Sequence, residues 1–380
     1  MKKYWFEILL ITAVMAVHVY AATSDAWNFP SNWFTRDDAY YYFKVAQNIT
    51  EGHGITFDGI NPTNGYHPLW MLVNIPIFAL ARLDLILPLR ILLLIQGGFS
   101  AAVAVLIYRI AREAISPPVA IAAASWWAFD LYLHNVMYEY GLETGLASLA
   151  VALLIYQLFQ FEKRWRNSPP TAHQIAGLGL YALFALFSRL DLVFLAILAG
   201  VWVILRGTPM RNLLPVDILL AASSVFAGFI LRLGVQEYYT YTNIVLFMIA
   251  VSVVSKVILY YLLGLYQPVI NHPFRRTVLS VVSAVSISTI LTSAIMLAAS
   301  SLLGSFPRLV LVYDWILNLA GMLAIRGLWR LFSQEKNHEY PSPLETLKIR
   351  WKTWLNEGAV YYGTLGIPLG IYMLFNKLVI

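Results

Sequence analysis

Apolar runs of about twenty residues recur along the whole chain, at 5–22, 89–108, 142–161, 213–231, 244–263, 278–303, 309–331 and 361–379. A helix that crosses the hydrocarbon core of a bilayer needs about 20 such residues. A shorter run covers 119–134. The stretch 175–205 is apolar but is broken by Ser188, Arg189 and Asp191, and it reads as two short spans around a polar turn. The sum is a bundle of roughly eleven transmembrane helices. The predicted fold class is therefore an all-α polytopic membrane protein, a single transmembrane domain over 1–380. Composition agrees: 59% of residues are hydrophobic and 12% charged, where a soluble domain carries about 25% charged residues.

Charge placement sets the expected orientation. Cytoplasmic loops carry the excess of Lys and Arg, so Lys2 and Lys3 put the N-terminus in the cytoplasm. Residues 1–22 resemble a signal peptide, with small residues at Ala21 and Ala22, but read as a retained first span. The run 68–83 is short and ends at Arg82 and Asp84. If it crossed, Arg109, Arg112, Lys163, Arg164 and Arg166 would all lie outside. Read as a juxtamembrane or re-entrant helix, it leaves those residues inside, together with Arg206, Arg211, Arg275, Arg276, Arg326, Arg330 and Lys336. Residues 23–88 then form a long first outer loop, and the C-terminus lies outside. Residues 338–358 form a cytoplasmic amphipathic segment, with Leu344, Leu347, Trp351 and Leu355 opposite Lys348, Arg350 and Lys352.

The net charge of +6 belongs to those loops, and no nucleic-acid partner is expected. The absence of cysteine excludes disulfides, thiolate metal sites and cysteine nucleophiles. Charges within the spans look few, with Asp130 the main exception, and no inverted repeat or broken-helix pair of the transporter kind is visible.

The outer face collects the chemistry. Asp37 and Asp38 open the stretch RDDAYYYFKVAQNITEGHGITFDGINPTNGYHPLW, which also holds Tyr40, His53, Asn64 and His67. Glu139 and Glu143 begin a later span, Arg189 and Asp191 lie on the short turn, and Arg232 and Glu237 follow another span. Ionisable groups at a bilayer edge are functional candidates. A carboxylate within hydrogen-bond reach acts as general base on a nucleophile. Paired acids suit a hard divalent cation, and a departing phosphate needs positive charge. Glycosyl transfer from a lipid carrier uses all of these at a membrane surface.

Each residue also has a plainer reading. Asp37 fits a helix N-cap and Asp38 a partner of the helix dipole. Glu143 fits the first turn of its span, and Arg189 fits a pair with Asp191. Asn61 to Gly65 is turn chemistry. His53 and His67 suit structure better than a metal. Asn48-Ile49-Thr50 matches a glycosylation sequon, a common chance pattern.

Asp37-Asp38-Ala39-Tyr40-Tyr41 after an inward-starting span resembles the GT-C superfamily of membrane glycosyltransferases, which includes protein mannosyltransferases, aminoarabinose transferases, arabinofuranosyltransferases and oligosaccharyltransferases. GHGITFDGINPTNGYHPLW is similar to the outer loop of many bacterial GT-C proteins. Tyr140-Gly141-Leu142-Glu143-Thr144-Gly145 resembles their second acidic loop, and Ser188-Arg189-Leu190-Asp191 their Arg-Asp/Glu turn. The blocks fall in the family's order. The resemblance implies an inverting transferase in a bacterial-type cell membrane. Its donor would be a polyprenyl-phosphate-linked sugar, and its acceptor a protein, glycan or lipid on the outer face. Asp37 or Asp38 would be the catalytic base or a metal ligand, and Glu143 a second catalytic acid or metal ligand. Arg189, Asp191, His53, Asn64, His67, Tyr40 and Arg232 would bind substrate. Use of a divalent cation, Mg or Mn, stays open. Relatives often continue beyond the equivalent of the last span, so completeness at Ile380 is a further question. The competing readings are a non-catalytic membrane subunit of a larger complex and a lipid-linked transporter or flippase.

Overall fold

The computed structural model describes residues 4–208, 210–266, 274–304, 306–332 and 343–379. It is all-helical, with no strand among the described residues. Eight described helices are long and apolar enough to cross a membrane. The chain is an all-α, multi-pass membrane protein. Its contacts group into two compact units, 1–204 with 356–380, and 205–355.

In the first unit, α1 (Trp5–Thr23) packs along α5 (Leu87–Ala114), which also carries α6 (Pro117–Phe129) and α8 (Thr144–Trp165). Gly97 makes the α1–α5 approach possible, because a Cβ there would lie 2.7 Å from the Cβ of His18. Helix α8 packs on α9 (Ala172–Ser188), and α9 on α10 (Val193–Ile204). The polar break separates α9 from α10 as two short helices, joined by a 3-10 turn at Leu190–Leu192. At Ala172, Thr171 and Gln174 form a reciprocal capping box that fixes the start of α9.

The first loop is ordered around α2 (Asn28–Asn32), α3 (Asp37–Glu51) and α4 (Pro68–Phe78). Helix α3 stops at Gly52, whose φ of +87° suits glycine. Asn48 Nδ2 then donates to Thr56 O and Phe57 O, at 3.0 Å each, and ties the following turn back to α3. Asn48 is only 2% exposed, so its sequon is a structural residue and not an accessible acceptor. Helix α4 begins at Pro68, where a missing N–H is harmless, and passes into a 3-10 turn at Ala79–Arg82. At 1.5 Å per residue α4 measures roughly 16 Å, about half a hydrocarbon core.

The second unit contains α11 (Met210–Leu233), α12 (Thr242–Leu262), α13 (Phe274–Leu303) and α14 (Leu309–Phe332). Helix α11 packs on α12 and α14, and α13 on α12 and α14. Its interior corrects the expectation that charges within spans are few. Lys256 Nζ donates to both oxygens of Asp314, at 2.8 and 2.9 Å. Arg326 makes a bidentate pair with Asp217, at 3.0 and 2.7 Å. All of these side chains are buried. Ser224 Oγ donates to Asp314, and Tyr260 donates to Asn318. Asp130, singled out from the sequence, instead sits between α6 and α7 (Leu131–Tyr140), where its carboxylate caps α7 by accepting from Leu133 N–H.

Helix α15 (Pro343–Val379) runs without a break from the amphipathic stretch into the last apolar run. Residues 338–342 of the predicted amphipathic segment, and Lys336, lie outside the described residues. Arg350 donates to Arg206 O at 3.0 Å within the second unit. In the first unit, Tyr361 and Tyr362 donate to Ala196 O and Ile197 O of α10.

Candidate active-site cleft

Asp37 and Asp38 are the first two residues of α3. The N-cap is the extended Arg36, which makes no side-chain capping bond, so the reading of Asp37 as the cap is corrected by one position. Both carboxylates lie instead beside the positive end of the helix dipole. Asp37 Oδ1 accepts from Asp38 N–H at 3.1 Å. Tyr42 follows Asp38 by one helical turn, on the same face, and points inward.

Glu143 comes from far along the chain. It stands at the N-cap position of α8 yet makes no capping bond. Its backbone is already helical there, at φ −67° and ψ −1°, whereas a capping residue is extended. Gly141 ends α7 with φ +61°, and any Cβ there would run into the Phe34 ring and lie 3.0 Å from Ala39 Cβ. This close turn brings Leu142 and Glu143 against α3. Gln96 of α5 holds the turn by donating to Leu142 O at 2.7 Å.

The Glu143 carboxylate is 7% exposed and faces three groups. Tyr42 OH donates toward Oε2 at 3.5 Å. His67 Nε2 lies 3.5 Å from Oε1, and Arg189 Nε lies 3.8 Å from Oε1. Tyr42 also accepts from His67 N–H at 2.9 Å. Burial, then the nearby Glu143 charge, raises the Tyr42 hydroxyl well above its ordinary range. Arg189, extended at the end of α9, also pairs with Asp191 at 3.2 Å, as its plainer reading expects.

Tyr42, His67 and Glu143 border an open cleft of about 690 Å³, which Arg189 adjoins through Glu143. Asp37, Asp38, Tyr40, His67 and Glu143 line it, together with Tyr41, Tyr42, Phe57, Gly65 and Leu142. Tyr41 and Phe57 stack nearly parallel, with ring centroids 5.4 Å apart, and form an aromatic wall. Tyr41 OH is also hydrogen-bonded to Thr63 Oγ1.

The remaining predicted residues lie elsewhere. His53 is exposed and 3.8 Å from Glu51. Asn64 is exposed and adjoins the cleft only through Gly65. Asp191 is exposed beside Arg189. Arg232 is exposed in the last turn of α11, in the second unit. The side chain of Glu139 lies outside those described. Among the described residues, no group of three or more His, Asp or Glu side chains is gathered to hold a metal ion. Asp37 and Glu143, the proposed ligands, are thus not part of such a set. Sequence reasoning missed Tyr42, because one tyrosine among three in a row reads as an interfacial aromatic.

The arrangement offers carboxylates at the mouth, a buried carboxylate with donors aimed at it, one guanidinium and an aromatic wall. It can accept a proton from a hydroxyl nucleophile and hold a polar ring against apolar surface. No protein-family model, curated protein or solved structure matches the chain.

Proposed function

We propose that this chain is an inverting glycosyltransferase of the GT-C type, moving a sugar from a polyprenyl-phosphate carrier to an acceptor on the outer face of the membrane. One observation carries the reading. Asp37 and Asp38, from the first loop, line the same cleft as Glu143, from a segment about a hundred residues later, with Arg189 next to Glu143. The sequence blocks that resemble the family thus meet at one place within one unit. In this reading the chain forms a bundle of roughly eleven spans, with its N-terminus in the cytoplasm.

Asp37 or Asp38 serves as general base, removing the proton of the acceptor group as it attacks the anomeric carbon. The lipid phosphate leaves from the opposite side of that carbon, which inverts the configuration. Glu143 orients the acceptor through hydrogen bonds, and Arg189 supplies positive charge toward the departing phosphate. Among the described residues, no three His, Asp or Glu side chains are gathered to hold a divalent cation.

The test is a membrane transfer assay with a panel of polyprenyl-phosphate sugars, comparing wild type with the Asp37→Ala/Asp38→Ala variant. Acid-dependent transfer supports the reading. No transfer from any donor by a folded protein counts against it. A transport reading has one specific observation in its favour, the buried Lys256–Asp314 and Asp217–Arg326 pairs in membrane-spanning helices. Proteoliposomes that moved lipid-linked sugar across the bilayer without transferring it would select that reading.

A further inference from the structure

His67 lines the cleft, but its ring is committed on both sides. Its backbone position is the N-cap of α4, where it makes no side-chain cap bond. Its Nδ1 lies 3.2 Å from the Leu190 backbone nitrogen, which has only a proton to offer. Nδ1 is therefore an acceptor. A neutral imidazole has one donor and one acceptor nitrogen, so Nε2 carries the proton. That Nε2–H faces Glu143 Oε1 at 3.5 Å. A ring in this tautomer has no lone pair to give a metal at Nε2.

We propose that His67 is a positioning residue that aims the Glu143 carboxylate into the cleft and couples it to the Arg189–Asp191 turn. The proposal rests on the reading of the cleft as a transferase active site. Glu143 precedes α8 with helical backbone angles and no capping bond, so the helix end does not hold its side chain. Its side chain is drawn instead toward Tyr42 OH, His67 Nε2 and Arg189 Nε. Two of these positions depend on His67. Its backbone N–H donates to Tyr42 OH, so the tyrosine's own proton is free to point at Glu143. Its ring accepts from the N–H of Leu190, the residue after Arg189, and faces Glu143 with its other nitrogen. The three distances, at 3.5–3.8 Å, are longer than closed hydrogen bonds. Such spacing tightens when a substrate fills an active site. The titratable groups facing the ring or its carboxylate are Glu143, Tyr42 and Arg189, with Asp37 and Asp38 also lining the cleft.

Two amide substitutions separate this role from a purely structural link between α4 and the turn. His67→Asn places an acceptor near the Nδ1 position and keeps the Leu190 bond, but it cannot reach Glu143. His67→Gln places an amide donor near the Nε2 position. In the transfer assay, His67→Gln is expected to keep most of the wild-type kcat. His67→Asn is expected to fold and to lose kcat by about tenfold or more with KM little changed, since misplacing a group by about 1 Å can cost about a hundredfold. Equal activity of the two variants, or a loss confined to KM, overturns the proposal.

A second readout does not depend on activity. Nitrogen-15 NMR of histidine-labelled protein, assigned by the loss of one signal in His67→Gln, reports the tautomer. A bare Nδ1 and a protonated Nε2, with an Nε2 signal that moves in Glu143→Gln, support the proposal. A protonated Nδ1, or a signal indifferent to Glu143→Gln, overturns it. If wild type transfers no sugar, the functional reading fails, and the tautomer measurement still decides whether His67 positions Glu143.

Discussion

Lys256 Nζ lies 2.8 Å from Asp314 Oδ1, with both side chains wholly buried between α12 and α14. Removing one member of such a pair strands the other charge, whereas replacing both with apolar residues is often neutral. Lys256→Met is expected to destabilise the protein by about 3–5 kcal/mol. Lys256→Met/Asp314→Leu should recover most of that loss. Thermal unfolding in detergent distinguishes the outcomes, and a single variant as stable as wild type would contradict the account.

Gly141 sets the path of the chain into the cleft. Gly141→Ala adds a Cβ that meets Phe34 and forces an alanine to φ +61°. The backbone strain alone costs about 1–2 kcal/mol, and the overlap displaces Leu142 and Glu143. Both melting temperature and transfer rate should fall. If neither changed, Gly141 would not be what places Glu143.

Tyr42 is expected to stay protonated while exposed tyrosines ionise, at about pH 10, because burial and then Glu143 raise its hydroxyl. Ultraviolet alkaline titrations of wild type and Tyr42→Phe should therefore overlay through that limb. A curve for Tyr42→Phe that lacks one ionising hydroxyl there would show that Tyr42 is not shielded as described.

The cleft-side loop carries its own acid marker. Hydrogen bonds from the Asn61 and Ile60 backbone N–H groups, then from the Asn61 side chain, lower the exposed Asp58 carboxyl to about 2. A depressed carboxyl supports the fold above its unfolded value, about 4. That support is lost as pH falls through about 2. Carbon-13 titration of Asp58 should give a midpoint near the lower value. A midpoint close to 4 would mean that the 58–61 turn is open in solution.

The eight long helices were legible because spanning runs announce themselves by length, whereas the run 119–134, read as one segment, breaks at Asp130 into α6 and α7. The break at Ser188, Arg189 and Asp191 likewise marked the boundary between α9 and α10. Of the polar groups expected to meet on one face, Asp37, Asp38 and Glu143 do line one cleft, whereas Arg232 lies in α11 of the second unit, and His67, which was not among that set, lines the cleft as well. The buried ion pairs were not. Lys256 and Asp314 stand 58 positions apart, and Asp217 and Arg326 stand 109 apart; Lys256 and Asp217 are each the lone charge of an apolar run, while Asp314 and Arg326 share the run 309–331. Only packing of α11, α12 and α14 reveals that they neutralise one another. Tyr42 was hidden for a related reason: which tyrosine of 40–42 turns inward depends on the helix phase that begins at Asp37.

The most direct measurement compares isosteric variants Asp37→Asn and Asp38→Asn, each purified and folded, in single-turnover transfer from a polyprenyl-phosphate sugar. Loss of a general base slows a reaction by about 10²–10⁴-fold. The account predicts a loss of that size in one of the two, with substrate still bound. Wild-type rates in both variants would contradict it.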